Sequence, residues 1–265
     1  MIRAAPASAA LLLLSACSGE PEKAASPAEI RAAAGEPAAT AARPEVAAQL
    51  IEQDNDLLDF SYGWPAEAAA IAALNARFSA EAAERLAGAA AFAREDREGR
   101  GPDAPYHGHY FKQDWVVAGD AERLLSLAAE VATFTGGAHG NSQFEAILWD
   151  RATNAEIELA DIFRDADAAF AAMTPTYCRG LDEQRAEKRG EALPLQEEGW
   201  MTECDSLAEA TVAPVDADGD GRFDLFRVLI APYEAGPYAE GSYEVDIPVT
   251  DEVRAMVQPG FGGSF

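Results

Sequence analysis

Between Leu57 and Tyr62 apolar and polar residues alternate, with Leu58, Phe60 and Tyr62 set against Asp59 and Ser61, and Gly63-Trp64-Pro65 ends the run; the pattern predicts a strand. The spacing then changes to that of a helix opened by Pro65, with Ala68, Ile71, Ala72, Leu74 and Phe78 on one face. Ser79 reads as the N-cap of a second helix, whose apolar positions are Ala82, Leu86, Ala89, Ala90 and Phe92. The charged stretch 94–103, which holds Gly and Pro, reads as a loop. Aromatic and branched residues then dominate 106–117, 124–134 and 144–149, with turns expected at Gly119-Asp120 and Gly136-Gly137, which predicts a meander of antiparallel strands. A helical turn is expected over 159–163, a helix interrupted at Pro175, or else two helices, over 166–190, and late strands over 210–215, 223–231 and 243–247. Strands and helices are segregated along the chain, so the expected class is α+β, with antiparallel sheets and separate helices. The folded part, residues 45–265, forms one large domain or two intimate subdomains that divide near 150–155.

The first 44 residues break this pattern. Arg3 and the short apolar run from Ala9 to Leu14 lead to Leu14-Ser15-Ala16-Cys17, the layout of a signal peptide too short to span a bilayer. Leu-Ser-Ala-Cys resembles the lipobox of bacterial lipoproteins, which implies cleavage after residue 16, lipidation of Cys17 and a membrane anchor through acyl chains such as palmitate. With Ser18 and no Asp after the cysteine, the expected location is the periplasmic face of the outer membrane where the cell has one. Residues 17–44 are rich in Ala, Pro and Glu without an aromatic side chain, and read as a disordered tether.

Acidic residues outnumber basic ones 46 to 20, for a formal net charge of −26. Such a surface repels nucleic acid and anionic headgroups, and attracts cationic partners and divalent metals.

The sharpest chemical motif is Asp216-Ala-Asp218-Gly-Asp220-Gly-Arg222-Phe-Asp224. Carboxylates at loop positions 1, 3, 5 and 9, with the backbone carbonyl of Arg222 at position 7, suit a structural Ca2+. Position 12 is Arg227 and not Glu, so the loop is no EF-hand; a metal-free Asp/Gly hairpin turn is the alternative. Outside the cytoplasm Cys178 and Cys204 are expected to form a disulfide, closing a loop of roughly 27 residues. His107 and His109 share a strand face and would bind zinc only if a carboxylate or His139 joined them. Tyr233, Tyr238 and Tyr243 mark an aromatic loop that suits a sugar- or protein-binding surface, or else half-buried packing. No phosphate loop, Ser-His-Asp arrangement or basic patch is apparent.

Three segments, Phe134-Thr-Gly-Gly-Ala-His139-Gly-Asn141, Ile157-Glu-Leu-Ala-Asp-Ile-Phe163, and Ala231-Pro-Tyr-Glu-Ala-Gly-Pro-Tyr-Ala-Glu-Gly241 with Glu244-Val-Asp-Ile-Pro248, resemble in order and spacing the RsiV-like family of extracytoplasmic domains over roughly residues 45–255. That family includes the sensor region of an anti-sigma factor that binds lysozyme, and the N-terminal region of a peptidoglycan deacetylase. The resemblance implies a domain without catalytic residues of its own, and lysozyme-type muramidases or peptidoglycan as partners. The expected function is therefore a lipid-anchored, non-enzymatic envelope binding protein. A metal-dependent glycan hydrolase or deacetylase using His107 and His109, or a purely structural lipoprotein, are the alternatives.

Overall fold

The computed structural model describes residues 46–101, 104–190, 202–204 and 206–265. Cys17, the tether 17–44 and Trp200 lie outside the described residues.

The first half builds a six-stranded sheet in the order β1 (Gln49–Asp54), β2 (Leu58–Trp64), β3 (His109–Asp120), β4 (Leu124–Phe134), β5 (Asn141–Asp150) and β6 (Ala155–Ile157). The short helix α1 (Ala66–Ala69) and the 28-residue helix α2 (Ala72–Gly99) connect β2 to β3. The second half supplies helix α3 (Ala166–Arg189), a three-stranded sheet of β7 (Thr211–Val215), β8 (Leu225–Ile230) and β9 (Tyr243–Pro248), and the short helix α4 (Asp251–Met256).

Alternation along the strands turns these elements into four layers. Leu125, Leu127, Ala129 and Val131 of β4 join Phe111 and Trp115 of β3 in one core, against Leu74, Phe78 and Ala82 of α2. On the reverse face Ala128, Val116, Ala118 and Phe144 meet Ala213, Val215 and Leu229 of the small sheet, and Ala231 just after β8. The far face of that sheet carries Phe226, Val228, Val245 and Ile247, which pack on Phe170, Met173, Tyr177 and Leu181 of α3. The order is helix, large sheet, small sheet, helix. β4 is buried without a break from Leu124 to Val131 because both of its faces are covered.

The two sheets are joined where β3 shifts register between Val117 and Gly119. The amide of Asp216 donates to the Ala118 carbonyl at 3.1 Å. A β-carbon on Gly119 would come within 2.6 Å of the Phe223 ring, so only glycine permits this approach.

The α+β class and the antiparallel run β3–β4–β5 are as expected, and β6 adds an unforeseen strand to it; Gly119 and Asp120 belong to β3, paired with Ser126 and Leu125, and not to the expected turn, and four further features differ. Ser79 caps no second helix: it lies within α2, where its hydroxyl donates to the Asn75 carbonyl one turn back at 2.8 Å. α2 also runs through the charged segment as far as Gly99, with Arg100 paired to Asp96 at i,i+4. α3 continues through Pro175, since Phe170, Met173, Tyr177 and Leu181 bury one side of it and hold both halves in line. β2 and β3 pair in parallel, because a helical connection returns the chain to the same end of the sheet. Trp64, Trp115 and Trp149 are core residues, 3%, 1% and 5% exposed.

Candidate functional site

Two of the sequence motifs, ninety-four residues apart, converge at one place. The β4–β5 turn presents His139; the loop after β8 presents Tyr233 and Tyr238. The His139 ring stacks on Tyr238, with centroids 3.8 Å apart and planes 19° from parallel. Its Nδ1 lies 2.7 Å from the Gly140 carbonyl and its Nε2 lies 3.4 Å from the Tyr233 hydroxyl. A carbonyl only accepts, so Nδ1 carries a proton, and in the neutral ring Nε2 is the acceptor for the Tyr233 hydroxyl. Gly140 allows the turn to close on its neighbour: a β-carbon there would sit 2.0 Å from the Tyr110 hydroxyl. Tyr110 itself stacks on Phe134, and burial raises its phenol above the ordinary range.

Tyr233 is 53% exposed and has φ +75°, left-handed backbone that a bulky residue adopts at a cost of roughly 1–3 kcal/mol. The loop is over-determined by what surrounds it. The Glu234 carboxylate accepts from the Ala231 amide at 2.7 Å. α3 then holds the loop along its length: Arg185 Nε donates to the Ala235 carbonyl, Arg189 pairs with Glu240, and Lys188 Nζ donates to the carbonyls of Glu240 and Ser242. Tyr243 departs from the expected trio. It is 1% exposed, its hydroxyl donates to Glu240, and burial first, then Glu240, push its phenol up. The surface aromatics are thus His139, Tyr233 and Tyr238. Rings and a hydroxyl suit stacking and hydrogen bonding to a ligand.

The disulfide forms as expected: Cys178 on α3 is bonded to Cys204, with Cα atoms 5.4 Å apart. Arg185 Nη2 donates to the carbonyl of Glu203 beside it at 2.9 Å.

In the acidic loop, carboxylate oxygens of Asp216, Asp218 and Asp224 lie within 4.8 Å of one another. The spacing fits oxygens placed around one hard cation. Asp220 does not join them, which reduces the expected four carboxylates to three; Arg222 stands in the same turn with its side chain exposed. The loop also satisfies its own carboxylates. Asp216 accepts from the amides of Gly219, Asp220 and Gly221, and Asp224 from those of Ala217 and Asp218. Burial raises the pKa of Asp216, with the Asp220 charge adding to it. Arg227, at loop position 12, is committed to Asp246 through two bonds of 2.7 Å.

The histidine pair does not assemble a metal centre. His109 is 3% exposed, its Nε2 is 3.0 Å from Asp96, and its ring packs on Phe92 and Tyr106. His107 lies exposed outside the strand. Among the described residues no third ligand converges on His107, His109 or His139.

Residues 51–142 match the family described as deacetylase PdaC. A DUF3298-family protein from Bacteroides fragilis has the same fold, with a TM-score of 0.51 at 17% identity over 84% of this chain and 98% of its own. A second DUF3298-family protein, from Pseudomonas aeruginosa PAO1, gives 0.52 at 16% identity over 82% and 96%. No curated protein matches the chain. The match over residues 51–142 and the shared fold of the two solved structures agree with the resemblance drawn from the sequence.

Proposed function

We propose that this protein is an envelope binding protein, lipid-anchored through Cys17, which uses the His139–Tyr233–Tyr238 surface to hold a basic muramidase. The observation that carries the reading is Tyr233: an exposed aromatic ring kept in costly backbone and braced by a histidine from the other half of the molecule. Strain of this kind is retained where a side chain must be presented to something outside. Aromatic anchors of this sort dominate binding energy when a partner desolvates them. The charge of −26 favours a cationic partner and would speed its approach, though at physiological salt the exposed charges reach only about 8 Å. Binding is preferred to catalysis because His139 contacts a carbonyl and a phenol, and His109 is enclosed beside Asp96. The deacetylase in the matching family's name is not carried over to this chain.

The test is a calorimetric titration of the purified chain with lysozyme at moderate and high salt, beside an equally basic unrelated protein. Binding that survives salt, excludes the control and falls about tenfold in Tyr238→Ala is expected. Binding shared with the control, or lost with salt, would reduce the association to charge alone.

A further inference from the structure

A second surface feature is independent of the tyrosine loop: the outer edge of β1. The two sheets end in the strands β1, β6, β7 and β9. The last three are closed to an added strand. β6 is only three residues long, and its Glu156 is paired with Arg77 of α2. β7 carries Pro214, which has no N–H to offer. β9 lies along α3, whose Gln184 donates to the Glu244 carbonyl. β1 is six residues long, without proline or bulge, and among the described residues nothing is hydrogen-bonded to its outer side.

The register shows which groups are open. The Asn55 amide donates to the Leu58 carbonyl at 3.1 Å. Bonded and non-bonded pairs alternate along an antiparallel ladder, so Gln49, Ile51 and Gln53 bond to β2, and the N–H and C=O groups of Leu50, Glu52 and Asp54 point outward. The side chains of these same three residues share one face of the strand and are exposed, Leu50 by 58%. Ile51, on the other face, packs on the α2 core. Asp59, beside Asp54 on β2, is matched by Lys112. Glu52 and Asp54 have no ion-pair partner among the described residues. Like charges directly opposite each other destabilise a ladder, so these two carboxylates and the net charge of −26 disfavour a second copy of the chain on this edge and favour a cationic strand.

We infer that the outer edge of β1 is a strand-addition site for an extended, cationic polypeptide segment. The segment pairs antiparallel to β1 and exchanges backbone hydrogen bonds with Leu50, Glu52 and Asp54. Its residues opposite Glu52 and Asp54 are Lys or Arg. Backbone bonds supply the affinity, and the two carboxylates select by charge. The inference does not rest on the muramidase reading, since no residue of the His139 surface is needed for it and the partner is an extended segment rather than a folded surface.

The experiment titrates the full chain at physiological salt with an end-capped peptide in which lysine alternates with valine, and with two backbone N-methylated forms of it. In the antiparallel pairing the lysines lie opposite Leu50, Glu52 and Asp54, and their N–H groups face β1. Methylation of the lysine amides should weaken binding by about tenfold or more, whereas methylation of the valine amides, at the same charge, should leave it within about twofold. On the protein, Glu52→Pro removes an outward N–H and spares every bond to β2, so the variant should melt close to the unmodified chain and bind about tenfold more weakly or worse. The methylated pair tests the proposal on the unaltered chain. Absence of binding, equal binding of the two methylated peptides, or binding undiminished in a folded Glu52→Pro chain would each overturn the proposal. So would a concentration-dependent dimer that Glu52→Pro abolishes, which would give the edge to a second copy.

Discussion

Arg185 donates from Nε to the carbonyl of Ala235 at 2.9 Å, and in doing so ties the interior of α3 to the loop that presents Tyr233. The same guanidinium, fully buried, reaches the Glu203 carbonyl next to the disulfide and Asp182 one turn back. One side chain therefore holds the bridge, the helix and the aromatic loop in a fixed relation. Lysine has one ammonium group and cannot reach both carbonyls. Arg185→Lys is expected to destabilise the fold by about 2–4 kcal/mol through buried, unmet acceptors, read as a lower denaturant midpoint at unchanged slope.

The Cys178–Cys204 bridge, with a sequence separation of 26, restricts the unfolded chain. Cys178→Ser with Cys204→Ser, or reduction, should remove about 3–4 kcal/mol in the chain-entropy treatment. Comparing melting with and without reductant, in the native and double-serine chains, checks it: reductant should leave the double variant unmoved.

Tyr233→Gly should leave stability unchanged or raise it by about 1 kcal/mol, because glycine accepts φ +75° without strain and little packing is lost from an exposed ring. Equilibrium unfolding measures this. A loss above 2 kcal/mol would mean that the tyrosine braces the loop more than the loop braces the tyrosine.

Asp150 sets an acid limit. Its carboxylate, with a side chain 1% exposed, accepts from Arg123 through two bonds of 2.9 and 2.7 Å. The Ala152 amide and the Thr153 hydroxyl complete its shell. Arg123 above all holds its pKa at about 2, against an ordinary 3.8. A depressed carboxylate stabilises the fold fully above the unfolded pKa, and that stability is lost as pH falls through the folded one. About 2 kcal/mol should therefore disappear between pH 4 and 2. Asp150→Asn should already lack this at pH 6, and its stability should change less over the same acid range.

For the acidic loop, we propose that Ca2+ is held by Asp216, Asp218 and Asp224. Millimolar Ca2+ should raise the melting temperature by several degrees, chelator should reverse the gain, and Asp218→Asn should abolish the response. Asparagine at 218 keeps the oxygen that accepts from the Asp220 amide, so the metal-free loop survives the change. A melting temperature blind to Ca2+ in the native chain would leave the loop as a hydrogen-bonded turn.

Legibility in the sequence followed locality. β4 was plain from Leu124 to Phe134 because a strand covered on both faces is a continuous apolar run. The bridge was plain because no other downstream cysteine is present. β1 escaped notice because an edge strand with one half-covered face, Gln49 to Asp54, carries only Leu50 and Ile51 as apolar signal. The helix at Asp251–Met256 did have a local mark, Thr250 with its hydroxyl accepting from Val253 and two acidic residues in the first turn. Ser79 misled because its hydroxyl serves a helix interior as readily as a start. The meeting of His139 with Tyr233 and Tyr238 is a property of layer stacking and left no trace in spacing, although each residue stood in a recognised motif.

The strand sandwiched at the centre of the four layers has a further consequence. Peeling α2 away would bare one face of β4, and separating the small sheet would bare the other, yet either event leaves its hydrogen-bonded neighbours β3 and β5 in place. Partial openings from either side thus share a surviving centre. The amide protons of Leu127, Ala128 and Ala129 should be the last in the molecule to exchange with deuterated solvent, at rates that report the loss of the whole fold at once.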